Sequence, residues 1–242
     1  MSKKSSIALI VPCYNESMSI PHFGIELIAF TEKFKVIRPE LDLSIIIVDN
    51  NSTDDSVALL KDLQLKLDCL TLETCSLRGY GAALKHGFKS ANAEYLSFLD
   101  LDNTYPLNSI FDLLNELQKK ELDIVYGARI HKASGISLIR SVGNRFYVLL
   151  LKWFFNSKLS DVCSGMRVFK ASLKTDVMGL ASNDLSFSID FTSFALANGW
   201  KISELPILYR TRTGHSKLSV VSDGLRFLRI VLINFLRKLK NV

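Results

Sequence analysis

Two aspartates, Asp100 and Asp102, are separated by one residue at the end of an apolar run, and this spacing could bind a metal ion. In an extended chain residues i and i+2 point to the same side, so both carboxylates would face one cleft. Like charges repel unless a cation lies near them, and such oxygen ligands suit Mg²⁺ or Mn²⁺. The structural alternative is that Asp100 ends a strand and Asp102 caps the next helix. The motif alone leaves both interpretations open.

A further carboxylate, Asp49, follows another apolar run. It could accept hydrogen bonds from a nucleobase edge or a ribose hydroxyl. The alternative is that it caps the next helix, but Ser52, Thr53 and Asp54 compete for that position. This redundancy favours a binding role for Asp49.

Gly79 and Gly81 precede a predicted helix, whose free N–H groups and dipole would favour an anion. Leu84 stands where a dinucleotide-binding fingerprint has its third glycine, so hydride-transfer chemistry is disfavoured. A tight turn without a ligand is the alternative for the glycine pair.

The elements that must position these residues alternate between short β-branched runs and longer segments of helical period. This alternation predicts an α/β fold with a mainly parallel sheet, in which ligands bind beyond the carboxyl ends of the strands. The predicted strands are 7–11, 44–48, 70–75, 95–99, 124–126 and 201–209. The predicted helices are 20–36, 56–67, 81–91, 107–117, 138–155 and 218–240.

Composition narrows the class of protein. With 242 residues, of which 48% are hydrophobic and 22% charged, the chain is long enough and apolar enough to exclude a disordered or collagenous protein. Its four cysteines form no C-x-x-C pair, which argues against a zinc site or disulfide framework and favours a reducing cytosol. No apolar run reaches the roughly 20 residues of a membrane-spanning helix. The net charge of +6 suits anionic substrates, a membrane surface or nucleic acid.

The excess cations lie late in the chain. The segment 210–217 contains Arg210, Arg212 and Lys217, a density that suits phosphate binding, although a solvated turn is the alternative. The helices predicted at 138–155 and 218–240 are basic and amphipathic, and they could lie in a membrane surface or pack on the catalytic core.

Together these segments resemble the family 2 glycosyltransferases of GT-A fold, most closely the branch that includes dolichol-phosphate mannosyltransferase and bacterial polyprenyl-phosphate glycosyltransferases. The segments that carry the resemblance are 10–16, 47–54, 78–84, 98–102, 127–129, 165–167, 204–206 and 214–217.

The resemblance implies a nucleotide-sugar site. Its residues are Pro12, Tyr14, Glu16, Ile47, Asp49, Arg78, Gly79, Asp100, Leu101, Asp102, Asn103, Arg129, Arg212 and Lys217. Within it, Asp100 and Asp102 would bind Mg²⁺ or Mn²⁺ on the donor diphosphate, and Asn103 would support the metal. Asn50 and Asn51 replace the Asp-Gly that is more usual in the family, so the nucleotide preference stays open.

The activity implied is an inverting transfer of a hexose from a GDP- or UDP-sugar to a polyprenyl or dolichyl phosphate. Its implied catalytic residues are Asp102, Arg212, Lys217 and Asp190. A hydroxyl acceptor would also need a general base, for which Asp161, Asp184 and Asp190 are candidates, whereas a phosphate acceptor needs none. Thr192 stands where the family usually has another acid, which favours the phosphate acceptor. The alternatives are a glycan hydroxyl acceptor and a non-catalytic nucleotide-sugar-binding module.

This interpretation divides the chain into a catalytic domain, residues 1–217, and a basic amphipathic helix, residues 218–242. It predicts a cytoplasmic protein held peripherally on the cytoplasmic face of a membrane, either by the lipid surface or by a separate membrane-anchoring subunit. A role in cell-envelope glycan biosynthesis follows, and nucleic acid is not expected as a partner.

Overall fold

The computed structural model describes residues 4–129, 138–211 and 220–240. Within these ranges, seven strands form one sheet: β1 (Ser5–Cys13), β2 (Leu41–Asp49), β3 (Leu70–Thr74), β4 (Tyr95–Phe98), β5 (Ile124–Arg129), β6 (Arg167–Lys170) and β7 (Ile202–Ile207). Their order across the sheet is β3-β2-β1-β4-β6-β5-β7. All pairs are parallel except those of β6, which runs antiparallel to β4 and β5.

The helices flank this sheet. They are α1 (Ile20–Ile37), α2 (Ser56–Gln64), α3 (Tyr80–Ser90), α4 (Ser109–Lys119), α5 (Leu138–Phe155), α6 (Lys174–Met178), α7 (Phe187–Ala197) and α8 (Val220–Lys240), with a 3₁₀ turn at Ala171–Leu173.

The apolar run of β1 reflects its central place in the sheet. The residues from Ile7 to Val11 are fully buried, because helices cover both faces of the sheet. β1 pairs with β2 from Ser5 opposite Leu41 to Cys13 opposite Asp49, so the two strands end together. This shared end brings the polar segments after β1 and β2 to one edge.

The α/β fold predicted from the sequence is confirmed, but β6 and α7 were not predicted. β6 is only four residues long and contains Arg167, a residue type that is rarely buried. α7 is buried on nearly all sides, so its apolar residues do not show the one-sided period that identifies a surface helix.

The C-terminal helix α8 packs on the rest of the chain. Phe227 and Val231 of α8 are buried in a cluster with Tyr147, Leu151 and Phe155 of α5. For this face of the helix the alternative that it packs on the catalytic core is therefore correct, because Phe227 and Val231 form part of the core. In the described part of the chain, no helix is both long enough and apolar enough to cross a membrane.

Candidate functional site

A cleft of about 440 Å³ runs along the carboxyl ends of the strands and continues between α5 and α8. Nine residues implied by the resemblance line it: Pro12, Tyr14, Glu16, Arg78, Gly79, Asp100, Leu101, Asp102 and Arg129. The strand-end argument therefore places most of the described candidates around one cavity, as expected for an open α/β sheet.

The acidic floor of the cleft is formed by Asp100 and Asp102, which follow β4. The buried carboxylate of Asp102 accepts hydrogen bonds at Oδ1 from the backbone N–H (3.2 Å) and the hydroxyl (2.5 Å) of Thr104. Gly165 passes so close to Asp100 that an added Cβ would lie 2.8 Å from its Oδ2. The chain thus needs a glycine at position 165 to leave Asp100 in place.

Tyrosines surround this floor, and they were not predicted. Tyr80 and Tyr105 line the cleft, and burial, together with the charge of Asp100, raises the pKa of each phenol well above its ordinary value. The Tyr105 hydroxyl accepts a hydrogen bond from the Gly165 backbone N–H at 2.7 Å. Both phenols therefore stay protonated and neutral beside the acidic floor.

The side of the cleft after β2 and β3 is held together by Asn50. Its amide nitrogen donates to the carbonyl oxygens of Cys75 (3.1 Å) and Leu77 (2.7 Å), and its Oδ1 accepts from Gly79 N–H (2.7 Å). The asparagine that departs from the family pattern thus fixes the loop that carries Arg78. The Arg78 guanidinium lies over the Tyr14 ring, 5.0 Å from its centroid.

The anion site expected at the start of α3 is not available in the structure. Gly81 and Ala82 donate their backbone N–H groups to the carbonyls of Asp184 (3.3 Å) and Asn183 (2.9 Å). The glycines instead permit this contact, since a Cβ on Gly79, whose φ is +133°, would lie 2.1 Å from the Asn183 oxygen. The expectation of an anion site at the glycine pair is therefore wrong. The alternative, a tight turn without a ligand, describes Gly79 and Gly81 better.

Arg129, at the end of β5, forms a bidentate ion pair with Asp161. Nε and Nη2 donate to the two carboxylate oxygens at 2.6 and 2.7 Å, and the Arg129 backbone N–H adds a third bond at 3.1 Å. Burial acts to raise the pKa of Asp161, but the charge and hydrogen bonds of Arg129 outweigh it and hold this pKa below its ordinary value. Arg129 also lies 5.6 Å from the centre of the Tyr209 ring, which lines the cleft.

Three implied site residues do not line the cleft. Ile47 is fully buried in the core of the sheet. Asp49 is buried and accepts the Ser52 backbone N–H at 3.3 Å, within its own loop. It does not cap α2, whose N-cap position is Asp55. Asn103 is buried and donates its amide to the Ser19 carbonyl at 3.1 Å, before α1. Direct contact of these three side chains with a ligand is therefore not supported, because each side chain points into the protein interior.

The candidate catalytic residue Asp190 is also turned away from the cleft. Its side chain accepts hydrogen bonds from the Ser182 backbone N–H at 3.2 Å and from the Asn234 amide of α8 at 3.0 Å. Asp190 therefore joins α7 to α8, and its placement does not support the general-base role predicted for it.

Of the other proposed bases, only Asp184 is on the cleft lining. It forms an ion pair with Arg226 of α8 and accepts from the Ser186 hydroxyl at 2.5 Å. Burial acts to raise the pKa of Asp184, but these partners outweigh it and the pKa lies below its ordinary value. Asp184 is thus a carboxylate at neutral pH.

A helical wall lines the cleft on the side away from the strand ends. It consists of Gly143, Asn144 and Tyr147 of α5 together with Gly224 and Phe227 of α8. The Tyr147 hydroxyl donates to the Gly224 carbonyl at 2.6 Å and so joins the two helices. Sequence reasoning missed this wall, although the amphipathic pattern of both helices showed that each buries one face.

The basic candidates Arg212 and Lys217 lie outside the described residues, as does the segment between them. Within the described ranges, no group of three or more His, Cys, Asp or Glu side chains is arranged to hold a metal ion. Mg²⁺ is often held by one or two carboxylates together with substrate phosphates and water. The hard oxygen donors of Asp100 and Asp102 fit that mode of binding.

The mainly parallel sheet and the paired aspartates in its cleft fit the class of glycosyltransferases of GT-A fold. The chain belongs to glycosyl transferase family 2, since the model of the family described as "Glycosyl transferase family 2" matches residues 8–176.

Two relatives and one solved structure extend this comparison. The low-salt glycan biosynthesis hexosyltransferase Agl6 of Haloferax volcanii is 31% identical over 65% of this chain, and the match covers 39% of the archaeal protein. The chain thus spans well under half of that relative. The dolichyl-phosphate beta-glucosyltransferase of Dictyostelium discoideum is 23% identical over 95% of this chain and 74% of its own length. Glucosyl-3-phosphoglycerate synthase of Mycobacterium tuberculosis, solved with Mn²⁺, UDP and phosphoglyceric acid, has a TM-score of 0.70 at 15% identity, covering 97% of this chain and 78% of the synthase chain. This last likeness shows the fold.

Proposed function

We propose that this chain transfers a hexose from a nucleoside diphosphate sugar to a polyprenyl or dolichyl phosphate at a membrane surface. The observation that carries the proposal is the course of the cleft. It begins at the acidic floor of Asp100 and Asp102 and ends between α5 and α8, whose outer faces are both apolar and basic. The Dictyostelium relative, named for transfer to dolichyl phosphate, supports the acceptor class.

The donor would lie along the strand ends, with its nucleoside near Pro12, Tyr14 and Glu16. Asp100 and Asp102 would hold Mg²⁺ or Mn²⁺, and Gly165 leaves the Asp100 carboxylate in position for that role. The bound metal would supply Lewis-acid stabilisation of the negative charge on the leaving diphosphate. The Mn²⁺ and UDP in the mycobacterial synthase support this assignment.

The remaining residues would orient the reactants. Asp161 fixes the guanidinium of Arg129 at the cleft, and Arg212 and Lys217 would assist the departing diphosphate through charge-assisted hydrogen bonds. The acceptor oxygen would attack the anomeric carbon on the face opposite the diphosphate, so that one bond forms as the other breaks. We therefore propose inversion in a single displacement, with a product of the opposite anomeric configuration.

The acceptor determines whether a base is needed. A phosphate monoester is already anionic at neutral pH and can attack without losing a proton to the protein. This fits the burial of Asp190 and the pairing of Asp161 with Arg129. A hydroxyl acceptor on a glycan is the second candidate. It is favoured by the carboxylate of Asp184, which lines the cleft and pairs with Arg226 of α8.

The outer faces of α5 and α8 support a membrane-surface location. Trp153 is 82% exposed and Leu236 is 57% exposed, although both are large apolar side chains. Other exposed apolar residues are Val142, Phe146, Leu149, Leu225, Leu232, Ile233 and Leu239, and basic residues on the same helices are Arg145, Lys152, Arg229, Arg237, Lys238 and Lys240. Apolar side chains flanked by cations suit the headgroup region of an anionic leaflet.

The direct test is a transfer assay. UDP- and GDP-hexoses labelled in the sugar are incubated with the protein, a short polyprenyl phosphate and Mg²⁺ or Mn²⁺. We expect one donor to give label that extracts into organic solvent, and no such product in EDTA. If the label appears only in a water-soluble glycan, the acceptor is a hydroxyl group and not a lipid phosphate. Nucleotide-sugar binding without any turnover would instead favour a non-catalytic binding module.

The membrane part is tested separately with vesicles that contain anionic lipid. Trp153→Ser should reduce vesicle binding by several-fold, because the exposed indole no longer partitions into the interface. Leu65→Ser is the matched control, since Leu65 is 86% exposed but lies at the end of α2, away from both helices. Equal vesicle binding by the two variants would contradict the proposed orientation.

A further inference from the structure

The helical wall of the cleft contains a buried polar atom that the mechanism above does not use. Asn144 of α5 is only 8% exposed and lines the cleft. No donor in the described part of the chain reaches its side-chain oxygen Oδ1. The neighbouring polar group, the Tyr147 hydroxyl, is already bonded to the Gly224 carbonyl. Buried polar atoms are nearly always hydrogen-bonded, so Asn144 Oδ1 indicates a missing donor.

The chemistry of this atom narrows what it can bind. An amide oxygen accepts hydrogen bonds from O–H and N–H groups, whereas a phosphate dianion carries no such donor. The cleft already contains the carboxylates of Asp100, Asp102 and Asp184. A neutral amide can accept from a hydroxyl without adding further repulsion against a diphosphate or a lipid phosphate.

The topology separates Asn144 from the nucleoside end of the cleft. Pro12, Tyr14 and Arg78 follow β1 and β3, on one side of the sheet, while α5 follows β5 on the other side. The acidic floor after β4 lies between these two sides. A donor bound with its diphosphate at that floor would extend its hexose towards α5.

We propose that Asn144 determines sugar specificity by accepting a hydrogen bond from one hydroxyl of the transferred hexose. This inference rests on the proposed function for its donor class, but not on the identity of the acceptor. Asn144 would bind the sugar in the ground state, so its contribution is measurable as affinity without turnover.

The test uses equilibrium binding of UDP-glucose, UDP-galactose and GDP-mannose with Mn²⁺, followed by the 2-, 3-, 4- and 6-deoxy analogues of the donor that binds. Wild type should lose affinity for one deoxy analogue by about 3- to 10-fold, the effect of one neutral hydrogen bond. Asn144→Leu should bind the natural donor as weakly as that analogue and should no longer distinguish the two. Preferences for the other hydroxyls should be unchanged.

Two further variants separate recognition from structure. Asn144→Asp keeps an acceptor oxygen, so it should retain the preference for the same hydroxyl while its added charge weakens binding of every donor. Asn92→Leu is the control, because Asn92 is exposed and lies just before the start of β4, on the edge of the sheet opposite the cleft. Its donor affinities should equal those of wild type.

The outcomes are distinguishable. Uniform weakening of all donors by Asn144→Leu, together with a lower thermal midpoint, would assign Asn144 a structural role and overturn the proposal. If Asn144→Leu does not fold, loss of selectivity in Asn144→Asp overturns it equally. Selective donor binding without transfer to polyprenyl phosphate would refute the lipid acceptor and leave the role of Asn144 standing. Absence of any nucleotide-sugar binding would refute both.

Discussion

The two walls of the cleft are held in place by different forces. The strand-end wall depends on directional contacts: the Asn50 hydrogen bonds, the Arg129–Asp161 pair and the close approach of Gly165 to Asp100. The helical wall depends mainly on apolar contacts, such as the Tyr147 and Phe227 rings, whose centroids are 5.7 Å apart. Hydrogen bonds constrain angle and distance, whereas apolar burial is non-directional.

This difference suits two kinds of ligand. A diphosphate and a metal need donors at fixed positions, and the strand-end wall supplies them. A lipid phosphate carries a long apolar chain, which an apolar helical wall can contact without a defined geometry. Substitutions at the acidic floor should therefore reduce the rate of transfer. Loss of a buried support such as Asp161, or of a contact in the helical wall, should instead alter stability or ligand affinity.

The largest expected effect is that of Asp102→Ala. Loss of this carboxylate should lower kcat for sugar transfer by about 10³-fold, because the charge on the leaving diphosphate loses its main stabilisation. Transfer by wild type should be abolished by EDTA and restored by excess Mn²⁺. Asp112→Ala, which removes an exposed carboxylate from α4, is the control. A variant at position 102 that keeps a tenth of the wild-type rate would exclude Asp102 from the chemistry.

Asp161→Asn should have the next largest effect, on stability. Removing one charge from a buried pair leaves Arg129 uncompensated, at a cost of about 3 kcal/mol in the free energy of unfolding. The pKa of Asp161 is lowered from its ordinary 3.8, so the contribution of the pair is complete above that value and is lost as pH falls through the folded-state pKa. The stability gap between wild type and variant should thus be full at pH 7 and should narrow below pH 3.8.

Urea unfolding of both proteins across this pH range measures that gap. Asp42→Asn is the control, since it breaks an exposed pair with Lys4 that should contribute at most about 1 kcal/mol. A gap of the same size at pH 7 and pH 3 would argue against a charge effect.

Gly165→Ala should lower kcat/KM by about 10²-fold while the protein still folds. The new Cβ would lie 2.8 Å from Asp100 Oδ2, so the carboxylate must move, and displacement of about 1 Å can cost this much in rate. Gly24→Ala is the matched control, because its Cβ would meet only the flexible end of Leu63, at 3.2 Å. Unchanged activity in Gly165→Ala would show that Asp100 tolerates displacement. It would argue against the claim that the strand-end wall must hold its ligand groups at fixed positions.

The same contrast explains how much could be predicted from the sequence. Strand ends in a parallel sheet share one edge, so local patterns were sufficient to bring Tyr14, Arg78, Asp100 and Asp102 to one cleft. The orientation of Asp49 could not be predicted in this way, because its carboxylate accepts a hydrogen bond from Ser52 in its own loop. Spacing identifies which residues reach the edge of a sheet, but not which of them turn back into the protein.

The fold of the second half of the chain depends on contacts that no local sequence pattern encodes. Arg167 is fully buried, donating to the carbonyls of Ser164 (3.2 Å) and Ser188 (2.7 Å) and lying 4.3 Å from the centre of the Tyr126 ring. A buried cation satisfied in this way is invisible to hydropathy, and so β6 was missed. No local pattern shows that Asp190 bonds to Asn234 of α8, which lies 44 residues away. Asp190 was therefore kept among the catalytic candidates.

Asp190→Asn should have the smallest effect on transfer, because Asp190 joins α7 to α8 and does not line the cleft. The new amide can still accept from Asn234 at Oδ1, but its NH₂ faces the Ser182 N–H, so one hydrogen bond is lost. We expect the free energy of unfolding to fall by about 1–2 kcal/mol and kcat to stay within about threefold of wild type. Asp184→Asn is the comparison on the cleft itself: its kcat should also be retained with a phosphate acceptor, whereas a glycan hydroxyl acceptor would require this carboxylate as a base. A large loss of kcat in Asp190→Asn, at unchanged stability, would restore Asp190 to the chemistry and would mean that α7 turns this carboxylate towards the cleft during the reaction.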